Sequence, residues 1–170
     1  LYNGVSESFR VYDESRKSLL RRKYSLSDND MVVAYVGNFH PVKNVAVLPE
    51  LFSCIHSHFE AYISDNPDDG RNLVFWVIGD GKLRLRLEPE IICAAGTDVK
   101  FWGNVAAEEM PDMMNCIDAL VLPSRNEGLP LVSLEALKCG VSVLGSEAGG
   151  IPEVIGKEFC VPFETGRDGV

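Results

Sequence analysis

The stretch SRNEGLPLVSLEALKCG, residues 124–140, decides how the rest of the chain is read. Two carboxylates, Glu127 and Glu135, stand eight positions apart in it. Gly128, Leu129 and Pro130 follow the first, and an apolar run carries the second. The pattern predicts a helix from about Pro130 to Cys139, stopped by Gly140, a residue suited to the left-handed position after a helix. Pro130 suits the first helical position, where its missing N–H costs little.

A helix N-terminus leaves backbone N–H groups unpaired and carries roughly half a positive charge, which makes it a ready phosphate site. The amides expected to be free for an anion are those of Gly128, Leu129 and Leu131. Gly128 would let a ligand approach the main chain closely. Glu127, on the lip, would repel a phosphate placed on it, so it must point sideways, where it can accept hydrogen bonds from hydroxyls. Glu135, about one turn in, can accept two hydrogen bonds from a vicinal diol such as a ribose. Phosphate between two hydroxyl acceptors describes a sugar nucleotide. Spacing by itself equally allows Glu127 merely to complement the helix dipole, worth about 0.3–1 kcal/mol, and Glu135 to face water.

Working outward, five apolar runs read as strands: MVVAYVG (31–37), LVFWVIG (73–79), VKFWG (99–103), ALVLP (119–123) and VSVLG (141–145). They are nearly continuously apolar, as strands buried on both faces are. Helical patterns alternate with them, which predicts an α/β domain with a parallel sheet. Four runs end in Gly and one in Pro; tight turns at the carboxyl ends of strands are where open α/β sheets bind ligands. From Lys43 to Ser64 the apolar residues Val45, Leu48, Phe52, Ile55, Phe59 and Tyr62 recur at helical spacing. Further helices are expected over Leu83–Ala95, with an interruption at Pro89, over Ala107–Cys116, and near Pro152.

The chain has 170 residues, a single-domain length, and a formal net charge of -9. That charge argues against a nucleic-acid partner but not against a nucleotide held by amides and a few cations. Five cysteines, with no Cys-x-x-Cys, suggest neither a disulfide framework nor a zinc site. No Asp-x-Asp occurs, and His56 and His58 are two apart, so they face different ways on a helix. Neither a metal nor a cofactor is expected. No apolar run is long enough to cross a bilayer. The segment DESRKSLLRRKYSLSDND (13–30) reads as a basic amphipathic helix and a polar turn. It is expected to be a solvated helix face, with a peripheral membrane position as the alternative.

The stretch SRNEGLPLVSLEALKCGVSVLGSEAGGIPEVI resembles the signature of retaining glycosyltransferases of the GT-B fold, family 4 (glycosyl transferases group 1), whose hallmark is E-x7-E. GGIPEV (149–154), VAYVGNFHPVKN (33–44), VIGDG (77–81), the segment 101–124 and YNGV (2–5) match the same family in the right order. The resemblance implies a Rossmann-like three-layer domain, the C-terminal half of a GT-B fold. Residues 1–170 would be a single donor-binding domain of a two-domain enzyme, without its amino-terminal domain and final helix.

Residue by residue, the resemblance implies catalytic roles for Lys43, which neutralises the leaving phosphate, and Glu127, which contacts donor-sugar hydroxyls. Glu135 would hold the ribose, and main chain at Gly128, Leu129, Pro130 and Leu131 the diphosphate. Asn104 and Val105 would lie near the base, while Asp80 and Gly81 would line the pocket. Gly37 and Asn38 match the family's Gly-Arg pair, but Asn38 stands where the family usually has Arg, leaving the diphosphate to Lys43, the helix N-terminus or a charge from elsewhere. The implied function is retaining hexosyl transfer from a UDP-, GDP- or ADP-sugar to a glycan, lipid or small-molecule acceptor in the cytoplasm. The acceptor would be held by the missing domain, and the isolated domain would be inactive alone. A non-catalytic nucleotide-sugar module and a sugar-nucleotide epimerase of the same fold are the alternatives.

Overall fold

The computed structural model describes residues 4–162; Tyr2 and Asn3 of the YNGV stretch fall outside them. Strands β1 (Asp30–Val36), β2 (Asn72–Ile78), β3 (Asp98–Gly103), β4 (Ala119–Leu122), β5 (Ser142–Ser146) and β6 (Cys160–Val161) form one sheet in the order β3-β2-β1-β4-β5-β6. Every neighbouring pair is parallel. The five expected strands are present within a residue or so at each end. The sixth has two residues, too few to leave an apolar run in the sequence.

The continuous apolar pattern has a simple cause. Val32, Ala34, Val74, Trp76, Leu120 and Leu122 face one helical layer, while Val33, Tyr35, Phe75, Val77 and Val121 face the other. Helices α2 (Leu48–Asp65) and α3 (Arg84–Ala95) cover the second set. Helices α1 (Glu14–Lys23), α4 (Met110–Met114), α5 (Leu131–Lys138) and α6 (Ile151–Ile155) cover the first. From β1 the chain winds outward through β2 to β3, then returns to β1's other side and winds through β4 and β5 to β6. Because parallel crossovers are right-handed, reversing the winding direction puts the later helices on the opposite face. The reversal lies between β1 and β4.

Three expected elements differ. Residues 43–64 are not one helix: short 3₁₀ turns at Pro41–Lys43 and Val45–Val47 precede α2, separated by Asn44 in the left-handed conformation with φ 54°. That residue breaks the helical path and leaves Lys43 on a turn outside α2. The helix α3 is not interrupted; Pro89 sits inside it. The carbonyl it leaves without a donor belongs to Leu85, a residue 89% exposed, so water can take the place of the missing N–H. Helix α4 starts at Met110 rather than Ala107, with Pro111 in its first turn. An earlier start would place that proline in the helix interior.

Of the two leucines of α1, Leu20 is buried in the core and Leu19 is 66% exposed; Tyr24, just past the helix, is buried as well. Tyr24 packs edge-on against Trp76 and Trp102, with centroids 5.6 and 5.5 Å away. On the outside of the helix Arg16 pairs with Asp112 and Lys23 with Glu109. No helix among the described residues is long and apolar enough to cross a membrane.

Candidate functional site

Ligands in open parallel sheets bind beyond the carboxyl ends of the strands, at the point where the strand order reverses. Here that point is flanked by the loop after β1 (37–44) and the loop after β4 (123–130). Three contacts join the two loops. The Arg125 N–H donates to the Val42 carbonyl at 2.9 Å, and Arg125 Nε donates to Asn44 Oδ1 at 3.1 Å. Lys43 Nζ meets Glu127 Oε2 at 2.6 Å. The two residues expected to be catalytic are therefore partners in one ion pair.

On the β1 side the turns after β1, β2 and β3 are laced by main-chain bonds. Gly37 N–H donates to Ile78 O, Gly79 N–H to Gly103 O and Phe39 N–H to Asp80 O. The approach is so close that a Cβ on Gly79 would lie 2.0 Å from the Gly37 carbonyl oxygen. Tyr35, buried beneath, donates its hydroxyl to the Asn38 carbonyl at 3.0 Å. Burial, and secondarily the Glu127 carboxylate, hold that hydroxyl well above the ordinary tyrosine range. These turns frame a cleft of about 580 Å³. Gly37, Asn38, Asp80, Gly81, Asn104 and Val105 all line it, which gathers six expected residues from three separate loops. Asp80 is engaged locally, accepting from Gly81 N–H at 2.7 Å and lying 3.5 Å from Arg84 Nη1.

On the β4 side, α5 begins at Leu131, so Pro130 is the N-cap residue and not the first helical one. Its φ fits a helix but its ψ of 85° does not. Its carbonyl accepts the Ser133 N–H at 2.9 Å and the Ser133 hydroxyl at 2.6 Å. The N–H groups of Gly128, Leu129, Leu131 and Val132 have no acceptor among the described residues. Gly128 has no left-handed φ, and a Cβ built on it would meet nothing within 4 Å. Glu135 is half-buried, and burial raises its carboxyl above the ordinary range.

The third wall comes from the loop after β5. Gly149 has φ +56°, and a Cβ there would lie 1.9 Å from the Glu127 carbonyl oxygen. A Cβ on Gly150 would lie 2.0 Å from that of Gly128. The Gly150 N–H donates to Glu127 O at 2.8 Å. These two glycines thus fix the backbone that carries Glu127 and Gly128. Their GGIPEV motif was the signal that pointed to them. No site role was read for Tyr35, Asn44 or Arg125: the first reads as core, the second falls in the helix expected from Lys43, and the third lies in the signature stretch with no role of its own. Among the described residues no three His, Cys, Asp or Glu side chains gather as a metal site.

The profile of the family described as glycosyl transferases group 1 matches residues 16–166. The chain belongs to that family. Among the relatives of this glycosyltransferase domain is N-acetyl-alpha-D-glucosaminyl L-malate synthase of Bacillus anthracis, 30% identical over 91% of this chain and 37% of its own length. D-inositol 3-phosphate glycosyltransferase of Salinispora tropica is 29% identical over 93% of this chain and 33% of its own. The chain thus spans about a third of the length of these relatives. Among solved structures, Anabaena HepE in complex with UDP and glucose superposes with a TM-score of 0.69 at 23% identity, over 90% of this chain and 39% of that one. The C-terminal domain of the group 1 family protein LpcC from Francisella tularensis gives 0.68 at 21%, over 94% and 80%. The fold is the Rossmann-like parallel α/β fold of the C-terminal half of a GT-B glycosyltransferase.

Proposed function

We propose that residues 1–170 are the donor-binding domain of a retaining, family 4 enzyme that transfers a hexose-type sugar from a nucleoside diphosphate. The observation that carries this reading is the meeting of Lys43 and Glu127 at the switch point, 2.6 Å apart, beside the open N-terminus of α5. Support also comes from HepE, a protein of like fold whose complexes contain UDP, glucose and UDP-glucose.

Transfer breaks the bond between the anomeric carbon and the diphosphate oxygen. The leaving diphosphate gains negative charge as the sugar becomes oxocarbenium-like. Fixed positive charge aimed at that oxygen is the main catalytic need. Lys43 and the free amides of Gly128, Leu129, Leu131 and Val132 contribute to it, and no metal is required. Glu127 accepts hydrogen bonds from sugar hydroxyls and holds the donor; it is not assigned as a covalent nucleophile. Glu135 accepts from the ribose diol. Gly37, Asn38, Asp80, Gly81, Asn104 and Val105 line the cleft that takes the nucleotide, with Asn104 and Val105 toward the base and Gly37 and Asn38 toward the diphosphate. The acceptor, a glycan, lipid or small molecule, is held by an N-terminal domain of the longer protein, so these residues alone transfer little or nothing. The work is cytoplasmic.

Calorimetric titration of the chain with UDP, GDP and ADP tests the reading. One of them is expected to bind, and Glu135→Ala is expected to weaken it tenfold or more. No binding by any of the three would end the proposal. A non-catalytic binding module is the second reading, favoured by Asn38 and by the neutralisation of Lys43. Donor hydrolysis by the full-length protein, abolished in Lys43→Ala, separates the enzyme from the module.

A further inference from the structure

The site as assembled so far is short of positive charge. Lys43 is paired with Glu127, so together they contribute no net charge. The residues lining the 580 Å³ cleft include one carboxylate, Asp80, and no Lys or Arg. The N-terminus of α5 adds roughly half a charge. A nucleoside diphosphate ester carries two negative charges.

We propose that Arg125 supplies the missing charge, as a second diphosphate-binding residue; this rests on the donor-site reading above. Arg125 is two positions before Glu127 on the β4 loop, and its main-chain N–H is tied to Val42 O on the opposite wall. Its Nε donates to Asn44 Oδ1, a neutral acceptor on a residue only 3% exposed. The bond ties the exposed Arg125 side chain to the residue that follows Lys43 without neutralising it. A guanidinium has five N–H donors, and among the described residues Nε is the one engaged. Arg16, Arg71 and Arg84 each spend their charge on a carboxylate; Arg10, Arg21, Arg22, Arg86 and Arg125 have no such partner among the described residues, and of these Arg125 is the one on a loop at the switch point. The planar fork that remains matches phosphate geometry.

The test measures affinity of the full chain for the one of UDP, GDP or ADP that binds wild type most tightly, and for the matching monophosphate. Arg125→Gln is expected to weaken the diphosphate about tenfold, since hydrogen bonds to charged groups are the strong ones, and the monophosphate several-fold less. It is also expected to flatten the dependence of diphosphate affinity on salt between 50 and 200 mM, roughly as loss of one phosphate contact would. Arg125→Lys, which keeps the charge and loses the fork, is expected to restore part of the loss, and serves in its place if the Gln variant melts early. Diphosphate binding by Arg125→Gln within twofold of wild type would overturn the proposal while leaving the donor site standing. Equal losses for both nucleotides would also overturn it, by making Arg125 a strut for the loops. Failure of wild type to bind any of the three removes the donor site and this proposal with it.

Discussion

Lys43 and Glu127 are 84 residues apart in the chain and face each other across the switch point with Nζ and Oε2 at 2.6 Å. Both side chains are less than a third exposed, so the pair is only partly screened by water. On the proposed reading, a diphosphate arriving at this crevice would compete with Glu127 for Lys43.

Glu127→Gln is therefore expected to free Lys43 and raise affinity for a nucleoside diphosphate several-fold, read by calorimetry. Losing a half-buried partner is expected to lower stability by about 1–2 kcal/mol, between the values for exposed and buried pairs. Transfer by the full-length protein is expected to fall about a hundredfold, the scale of losing one well-placed polar group. Weaker diphosphate binding in this variant would contradict the competition.

Glu135 makes a prediction with a definite sign. Burial raises its folded-state carboxyl above the ordinary value of 4.5, so the folded protein favours its neutral form. Its contribution to stability is present below the unfolded value and is lost as pH rises through the folded one. Glu135→Gln is therefore expected to raise the melting temperature at pH 7 and to leave it nearly unchanged at pH 4. The same variant is expected to bind nucleoside diphosphate less tightly. Equal stabilisation at both pH values would rule out desolvation of this carboxylate as the cause.

Gly150→Ala places a methyl where the Gly128 carbonyl already is. Backbone must move, at a cost of about 1–3 kcal/mol, measurable by denaturant titration. The displaced segment carries Glu127 and Gly128, so nucleotide affinity is expected to drop with stability. A stable variant with unaltered affinity would mean that this wall does not position the site.

Asn38→Arg is expected to strengthen diphosphate binding about tenfold by adding a cation to a cleft whose lining residues hold none. Asn38 is exposed, so the stability change is expected to stay within about 0.5 kcal/mol. Unchanged affinity would show that position 38 does not reach the diphosphate.

Much of this arrangement was legible in the chain. Strands buried on both faces must be apolar at every position, so β1, β2 and β4 announced themselves; β6, with two residues, could not. The helix after residue 130 was legible from its stop at Gly140 and its apolar run, but the role of Pro130 was not. Proline suits the first helical position and the cap alike, and the choice fell to its ψ of 85°. The helix expected from Lys43 was misjudged because apolar spacing continues through Asn44 while the backbone does not.

By itself, then, the sequence determined the alternation of strands and helices, the carboxylates at 127 and 135, and the glycines that allow close approach, because these follow from local spacing and side-chain size. Only the tertiary structure decided that Lys43 meets Glu127, that Arg125 is held by Asn44, and that six residues from three loops line one cleft. Those are contacts between loops brought together by the reversal of strand order between β1 and β4. Such proximity is set by sheet topology and crossover handedness, which no local stretch of residues encodes.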